Sequence, residues 1–541
     1  MIADQQTHAL PNSAEGWARL VSLMGESEDD VRRDLRERIE EVHELTEGFF
    51  APGQSAALPE DDFGAEVTSR WPTYPALRSQ RAVEIFNRLR PEILLRLREA
   101  ARPDEALMSF DLFLAGLPAG VQLFSLFEAN PDLLRLMVEI SATSPALARY
   151  LSRNAGVLDA VIAGRFFAPW PGRAELRESL GRAVAHGRDQ EARLDAARRW
   201  LKEWWFRTGV HHLQGLIGAE EAGRQYADLA ETVLGQVFPM VSEDFSRKHG
   251  GGPGWGAVVL GMGSLGTGRL SATSDLDLIV IYDAGVDGAS DGARPLATRP
   301  YFARLTQGLV TALSAPMAEG RLYEVDMRLR PSGRQGPVAT SWPSFQSYQR
   351  EEAWTWEHLA LTRARVVAGA GEGAPALAER VEAFRAELIA GRRGDARVLP
   401  DVAGMRARLA AAKSGEGAWD AKSGPGRLRD LELCAQGLAL LAGSSVRSTP
   451  EQIAAGREAG LIGAGDAEVL DAAASLFWNV QAAARLLTEG TLDPGKVGEG
   501  GRRFLLRETE EEAIPMLEAR LAESAEAAAA AIDRVVGGGE S

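Results

Sequence analysis

The stretch SATSDLDLIVIYD, residues 271–283, decides the fold prediction because it places two aspartates at the mouth of a wholly apolar run. A strand that enters a core usually avoids charge at its buried end. Side chains two positions apart in a strand share a face, so Asp275 and Asp277 are expected on one face. Leu276 and Leu278 then lie on the opposite face. Packing alone does not explain the two carboxylates.

A second run, LYEVDMRLR at residues 322–330, alternates by two and predicts another strand. Its charged side chains are expected on one face, and they are Glu324, Asp326, Arg328 and Arg330. If the two predicted strands lie side by side, Asp326 joins Asp275 and Asp277. Three carboxylates a few ångströms apart cannot all stay ionised without cations. Mg²⁺ is the expected cation because it binds a few carboxylates, keeps its waters and shares its other sites with substrate phosphates.

A glycine-rich stretch, GMGSLGTG at residues 261–268, directly follows the apolar run AVVLGM at residues 257–262 and predicts a loop that approaches an anion. Its glycines allow backbone N–H groups to come close, and Ser264 adds a hydroxyl donor. The spacing fits neither a Walker A loop nor the dinucleotide fingerprint. Gly263 and Ser264, then D-x-D, then a later carboxylate, follow the order of a nucleotidyltransferase site.

Each of these features alone also has an ordinary structural explanation. A D-x-D pair at a strand end is often only a solvated terminus, and a glycine-rich stretch is often only a turn. A strand that ends in arginine is often an exposed edge. Their order along the chain and their shared face favour a metal-dependent phosphate site.

The arrangement of helical and strand patterns predicts several domains, since 541 residues exceed what one hydrophobic core usually needs. Helical periodicity continues to residue 245, and HGGGPGWG at residues 249–256 then ends the helices. A strand, loop, strand, helix, strand order follows, and helical patterns return near residue 370. We therefore predict an α+β fold, a mostly helical chain with a compact nucleotidyltransferase-type α/β catalytic domain flanked by helical domains. The expected parts are a linker-like segment at 1–75, a helical domain at 76–248, the catalytic core at 249–370 and a C-terminal helical domain at 371–541.

Composition narrows the class of protein further. Lys and Arg number 60 against 76 Asp and Glu, so the formal net charge of −16 disfavours binding to nucleic acid or anionic membranes. A single cysteine, Cys434, excludes an internal disulfide framework and a thiolate metal cluster. The N-terminus lacks a signal-peptide pattern, and no apolar run is long enough to span a membrane. We expect a soluble, cytoplasmic protein.

The stretch GMGSLGTGRLSATSDLDLIVIYD, together with YEVDMRLRPSG and YQREEAWTWEHLALTRAR, resembles the glutamine synthetase adenylyltransferase family. Members usually carry two nucleotidyltransferase domains, and the AWTWEH segment is typical of the C-terminal, adenylylating one. Residues 14–50 resemble the linker after the first domain, so the chain resembles the C-terminal half. The segment SGPGRLRDLELCAQ at residues 423–436 is similar to a further family motif, with Asp430 and Glu432 at matching positions. One departure is Ser264, where the family's loop generally has lysine.

This resemblance implies transfer of AMP from ATP to a tyrosine of glutamine synthetase, with release of pyrophosphate, to regulate nitrogen assimilation. Asp275 and Asp277 would hold Mg²⁺ on the ATP phosphates. Asp326 would complete the metal site and accept the tyrosine proton. The expected nucleotide-binding residues are Gly263, Ser264, Arg328 and Arg330. Arg330 pairing with Glu324 instead remains an alternative.

Other functions stay open at this stage. The chain could remove AMP or transfer UMP, as related protein-modifying nucleotidyltransferases do. It could also be a non-catalytic regulatory scaffold that binds glutamine synthetase or a PII signalling protein. His358 is expected to be structural, and Trp354 and Trp356 are expected in the core rather than against an adenine. Asp430 and Glu432 are expected to fix the helical domain rather than to hold metal.

Overall fold

A computed structural model describes residues 63–537 and, before them, Val21 and Val31. Within 63–537 the description omits residues 101, 118–119, 155–156, 158–164, 285–287 and 413–416. Most of the predicted linker-like segment 1–75, including the stretch 14–50 that resembles the family's linker, lies outside the described residues.

The described chain before the sheet is helical, as its periodicity predicts. The α-helices are α1 (Ala65–Thr68), α2 (Gln80–Arg98), α3 (Pro103–Gly116), α4 (Val121–Ala129), α5 (Pro131–Thr143), α6 (Pro145–Arg153), α7 (Gly172–Ala185), α8 (Gln190–Leu213) and α9 (Ala219–His249). Short 3₁₀ turns lie at Trp71–Thr73, Pro75–Leu77 and Arg165–Phe167. Helix α9 ends where Gly250 adopts a positive φ of 74°, at the start of the glycine cluster predicted to stop the helices.

A small mixed sheet follows. Its elements in chain order are β1 (Gly256–Gly261), α10 (Gly263–Thr267), β2 (Leu276–Asp283), α11 (Thr298–Ser314), β3 (Val325–Asp326), β4 (Ala339–Ser341), α12 (Trp342–Glu351), α13 (Thr355–Thr362) and β5 (Arg365–Ala370). A 3₁₀ turn at Gly333–Gln335 separates β3 from β4. Strand β1 pairs antiparallel with β2 and β5, while β3 and β4 both pair parallel with the other edge of β2.

The two faces of the sheet have different partners, as period-two alternation requires. Leu276, Leu278 and Val280 of β2 pack in one cluster with α7, α8, α9 and α11. Ile279 and Ile281 pack on the opposite face with α12 and the next helix, α14 (Ala374–Ala390). Asp277 has the parity of Ile279 and Ile281, so its side chain lies at the margin of that second cluster.

Two sequence-based element predictions are wrong in detail. The run 322–330 is not one strand, because only Val325–Asp326 is extended in the sheet. The Arg328 backbone N–H donates to Asp326 Oδ1 at 2.8 Å, which turns the chain out of the sheet. The stretch predicted as a glycine-rich loop at 261–268 contains the single-turn helix α10.

Helices complete the chain after β5. Besides α14 they are α15 (Val398–Ala412), α16 (Leu428–Ala442), α17 (Thr449–Glu458), α18 (Ala464–Leu487), α19 (Gly498–Thr509) and α20 (Ile514–Val536), with a 3₁₀ turn at Pro494–Lys496. Within the described residues, no helix is both long enough and apolar enough to cross a membrane. Cys434, on α16, is buried as expected for a small apolar residue.

Hydrophobic packing joins distant parts of the sequence. Helices α2–α6 share one cluster with α16–α20, so the first and last helical segments have a common core. Helices α7–α9 instead cover the sheet. The division at residues 75, 248 and 370 stays a prediction, and these clusters cross the boundaries at 248 and 370.

Candidate active site

Asp277 and Asp326 lie side by side in the sheet. Strands β2 and β3 run parallel, with Leu276 opposite Val325 and Asp277 opposite Asp326. The Leu276 N–H also donates to the Glu324 carbonyl at 2.9 Å, which fixes the register. Asp277 is the only partly exposed residue between the ends of β2. The side-by-side placement of the two strands, which the prediction from the alternating pattern assumed, is therefore present at Asp277 and Asp326.

The electrostatics of this edge are dominated by crowded carboxylates. Burial, followed by the charges of Asp275 and Asp326, raises the pKa of Asp277 to about 6. Lys422 and Arg328 oppose this shift without cancelling it. A carboxylate in this position favours either a proton or a nearby cation.

Asp326 is held by Arg328. The Arg328 side chain donates from Nε to Asp326 Oδ2 at 2.6 Å, in addition to the backbone bond to Oδ1. Burial alone would raise the pKa of Asp326, but the hydrogen bonds from Arg328 outweigh it, so the pKa lies below its usual value. Arg328 is exposed and forms no other ion pair with a residue that the structure describes, so it is free to exchange this carboxylate for another anion.

The remaining residues predicted for the nucleotide are placed differently. Arg330 donates to the backbone carbonyls of Met327, Arg334 and Gly336 and so closes the turn after β3. It does not pair with Glu324, which forms an ion pair with Arg321. The alternation of the run 322–330 therefore does not carry Arg330 to the carboxylates.

Helix α10 brings Gly263 against Asp277, with Ser264 as the next residue. Gly263 has φ 51°, and a Cβ added there would lie 2.8 Å from Asp277 Oδ2, so the site requires glycine. Ser264 is half-buried, and its hydroxyl forms no hydrogen bond to any residue that the structure describes. Its carbonyl accepts from Thr267 Oγ1 at 2.9 Å. The Ser264 hydroxyl, one residue from the contact of Gly263 with Asp277, is therefore available to a ligand.

Among the described residues, no three His, Cys, Asp or Glu side chains are gathered closely enough to enclose a metal ion. Both oxygens of the Asp326 carboxylate accept hydrogen bonds from Arg328 instead. Asp275, at the exposed entry to β2, and Asp277 remain without an ion pair to a described residue.

Two acidic residues of α16 have structural partners. Asp430 binds Arg406 of α15 through two hydrogen bonds of 2.6 and 2.9 Å and also accepts from the Gly426 N–H. Glu432 pairs at 2.8 Å with Arg363, which precedes β5 and is almost fully buried. Asp430 thus stabilises the helical region, as expected, whereas Glu432 ties that region to the sheet.

The aromatic and histidine predictions near this site have mixed outcomes. His358 is buried and its Nε2 lies 2.9 Å from the Gln349 carbonyl, in agreement with a structural role. Trp354 was expected in the core, but 71% of it is exposed, because it caps the start of α13 instead of lying inside the helix.

Sequence reasoning missed Lys422. It lies in the loop before α16, yet its charge acts on both Asp275 and Asp277. It stands directly before the quoted segment 423–436, beside the glycines of SGPG. No period-two or helical pattern marks it, so only the spatial proximity of α16 to the sheet identifies it.

Comparison with known proteins places this arrangement in a family. A family model described as glutamate-ammonia ligase adenylyltransferase matches residues 134–379, which include the three aspartates. The chain is 37% identical over 573 residues to the bifunctional glutamine synthetase adenylyltransferase/adenylyl-removing enzyme of Brucella melitensis, covering 100% of this chain and 58% of the relative.

Proteins of the same name in Mesorhizobium japonicum and Rhizobium meliloti are 36% and 37% identical, over 97% and 92% of this chain and 56% and 54% of the relatives. The chain thus spans little more than half the length of the curated relatives it matches. The identity extends over nearly all of the chain, through the helical segments as well as the sheet. The chain belongs to the glutamate-ammonia ligase adenylyltransferase family.

Proposed function

We propose that this chain transfers AMP from ATP to a tyrosine of glutamine synthetase, and that it corresponds to the C-terminal, adenylylating half of its longer relatives. The observation that carries the proposal is the pairing of Asp277 with Asp326, next to Gly263 and the free hydroxyl of Ser264. A phosphoryl-type transfer depends mainly on positioning and charge neutralisation. The edge of the sheet formed by β2 and β3 offers groups for both.

The carboxylates fit Mg²⁺ as the accompanying cation. The raised pKa of Asp277, caused by burial and by Asp275 and Asp326, reports unbalanced negative charge at the site. Asp275 and Asp277 would hold the ion, and Asp326 would join them once released from Arg328. Bound there, Mg²⁺ would neutralise charge on the phosphates and favour attack at the α-phosphorus.

The chain's own residues then have separate roles. The Ser264 hydroxyl would donate to a terminal phosphate. Arg328 would leave Asp326 for the phosphates, and this exchange would restore the basicity that its hydrogen bonds now suppress. Asp326 would then accept the proton of the attacking tyrosine, whose unperturbed pKa is about 10. Arg330 donates to backbone carbonyls and closes the turn that positions Arg328.

The proposal also includes the protein substrate, a further partner, the compartment and the extent of the catalytic core. Glutamine synthetase is the protein substrate, a PII signalling protein is a further partner, and the cytoplasm is the compartment. Residues 249–370 form the catalytic core within the domain division given above. Removal of AMP, which the names of the relatives also include, is the competing activity that an experiment must separate.

The test is intact-mass analysis of unmodified glutamine synthetase after incubation with this chain, Mg²⁺ and ATP. We expect one added AMP per subunit, no addition with UTP, and no addition by the Asp277→Asn variant. Adenylylated glutamine synthetase with phosphate provides the reverse arm. Loss of AMP there, without any addition in the forward arm, would contradict the proposal and assign the chain to AMP removal.

A further inference from the structure

Lys422 has a fixed backbone in the loop that precedes α16. Its N–H and that of Ser423 both donate to Asp420 Oδ1, at 3.0 and 2.9 Å, and its carbonyl accepts from the Arg429 N–H at 3.1 Å. Arg427 adds hydrogen bonds to the carbonyls of Asp420 and Ser423. The neighbours Ala421 and Ser423 are buried, while Lys422 is exposed.

This loop is tied to the sheet beside helix α10. Glu432, four residues into α16, pairs with the buried Arg363. The Arg363 carbonyl in turn contacts Gly266 of α10 so closely that an added Cβ would lie 2.0 Å away. Helix α16, which the Lys422 loop precedes, is therefore joined through Arg363 to α10, at the end of the sheet where Asp277 lies.

The charges around Lys422 leave its ammonium without a dedicated partner. Arg429 and Arg485 repel it, while Glu432 and Asp275 attract it. Glu432 is already paired with Arg363, and Lys422 forms no salt bridge with any residue that the structure describes. The ammonium lies near two carboxylates, Asp275 and Asp277, that form no ion pair with a described residue.

Two arginines of the turn after β3 already have partners in the structure, and a third, Arg334, is exposed near Asp326. Arg328 binds Asp326 and Arg330 binds backbone carbonyls. Position 264, next to the carboxylates, is a neutral serine. A nucleoside triphosphate brings about four negative charges to a site that already holds three carboxylates, and such charge is accommodated only with cations. Lys422 is the nearby ammonium that remains free to supply one.

We propose that Lys422 is a nucleotide-binding residue, supplied to the sheet by the C-terminal helical segment, whose ammonium contacts the terminal phosphates of the bound triphosphate. The proposal rests on the proposed function, which makes ATP the nucleotide. It deepens that function by dividing the nucleotide site between two parts of the fold. Because the contact is to the phosphates that depart, Lys422 also binds pyrophosphate after transfer.

The test is equilibrium binding of Mg·ATP, Mg·pyrophosphate and AMP by calorimetry, in the absence of glutamine synthetase. Lys422→Met is expected to weaken binding of Mg·ATP and of pyrophosphate by roughly tenfold, the loss expected for one charged hydrogen bond to phosphate. Binding of AMP, which lacks the terminal phosphates, should be unchanged. Lys422→Arg should retain binding within about threefold of wild type because it keeps the charge.

Lys248→Met is the matched control, because Lys248 is exposed at the end of α9, near the opposite end of β1. Thermal unfolding of each variant checks the fold, and Lys422→Gln repeats the charge loss if the methionine variant is unstable. Unaltered Mg·ATP binding in a folded, uncharged variant would overturn the assignment of Lys422 while leaving AMP transfer intact. Failure of the wild-type chain to bind Mg·ATP at all would overturn the proposed function as well.

Discussion

At the scale of single residues, Asp277 is the position where stability and chemistry compete. Its folded-state pKa of about 6 lies above the ordinary value of 3.8 because of burial and neighbouring carboxylates. The folded state therefore binds a proton more tightly than the unfolded state, and folding stability falls as pH rises from about 4 to 6. Above that window the ionised carboxylate costs stability, a known trade-off at active sites.

Asp277→Asn is accordingly expected to stabilise the metal-free chain. We expect a gain of about 1 to 2 kcal/mol at pH 7, allowing for partial exposure, and no gain below about pH 4. Chemical denaturation in a chelator at both pH values measures it. Asp471→Asn, at an exposed site on α18, is the control and should change little. An Asp277→Asn variant less stable than wild type at pH 7 would show that the carboxylate is not crowded.

Ser264 offers a second prediction at this scale. Ser264→Ala should raise the apparent Michaelis constant for ATP roughly tenfold through loss of a charged hydrogen bond. Thr267→Ala is the control, since that hydroxyl is already satisfied by the Ser264 carbonyl. Ser264→Lys should be tolerated or bind ATP more tightly. An inactive lysine variant, together with unchanged ATP affinity in the alanine variant, would remove α10 from the nucleotide site.

At the scale of elements, the contact of α10 with β1 and β5 determines where the site forms. A Cβ at Gly266 would lie 2.0 Å from the Arg363 carbonyl and 2.7 Å from the Gly261 carbonyl. Both obstacles are backbone atoms, so the helix itself must move. Gly266→Ala is therefore expected to destabilise the chain by about 3 kcal/mol or more, as overpacking against a rigid neighbour does.

The control for this prediction is Gly235→Ala, within α9, where an added Cβ meets nothing within 4 Å. That change should be neutral or slightly stabilising, because alanine favours a helix over glycine. Urea unfolding of both variants makes the comparison. Equal stability of the two would mean that α10 does not pack as described.

The same scale shows which elements were predictable from sequence. Strand β2 follows from period-two alternation alone, whereas Asp275 lies just before the strand. The end of β3 could not be predicted in this way, because the alternating pattern continues past it. The strand ends where the Arg328 N–H donates to the Asp326 side chain. Strand β5 was missed because it follows α13 after only two residues, without a glycine or proline to mark the change.

At the scale of the whole molecule, the pair of Arg363 and Glu432 links the sheet to the C-terminal helices. Glu432→Gln leaves Arg363, which is 7% exposed, without its counter-charge. We expect a loss of about 2 to 4 kcal/mol, because breaking one side of a buried pair strands the other charge. Replacing both residues by apolar ones should recover much of it in a double-mutant cycle.

Glu178→Gln provides the exposed comparison, since Glu178 and its partner Arg182 are 68% and 64% exposed. It should cost less than about 0.5 kcal/mol. Similar costs for the two glutamate variants would indicate that the sheet and α16 are not coupled through this pair.

Contacts between distant segments are what the sequence could not predict at this scale. The common core of α2–α6 with α16–α20 joins segments separated by the whole sheet, and local periodicity carries no information on such pairing. Lys422 could not be identified for the same reason. It lies near Asp275 only in the folded chain, where α16 packs near the sheet. The candidate carboxylates could be identified because they lie in two short runs, residues 271–283 and 322–330, whose local patterns are visible in the sequence.

The central claim, that Asp275, Asp277 and Asp326 form one cation-dependent AMP-transfer site, is tested most directly by the transfer rate of three isosteric variants. We expect Asp275→Asn, Asp277→Asn and Asp326→Asn each to transfer AMP to glutamine synthetase at less than a tenth of the wild-type rate, while each remains folded. A lost catalytic charge costs several kcal/mol of barrier, and about 1.4 kcal/mol is already tenfold. Retention of more than about a tenth of the wild-type rate by both the Asp275 and Asp277 variants would contradict the account.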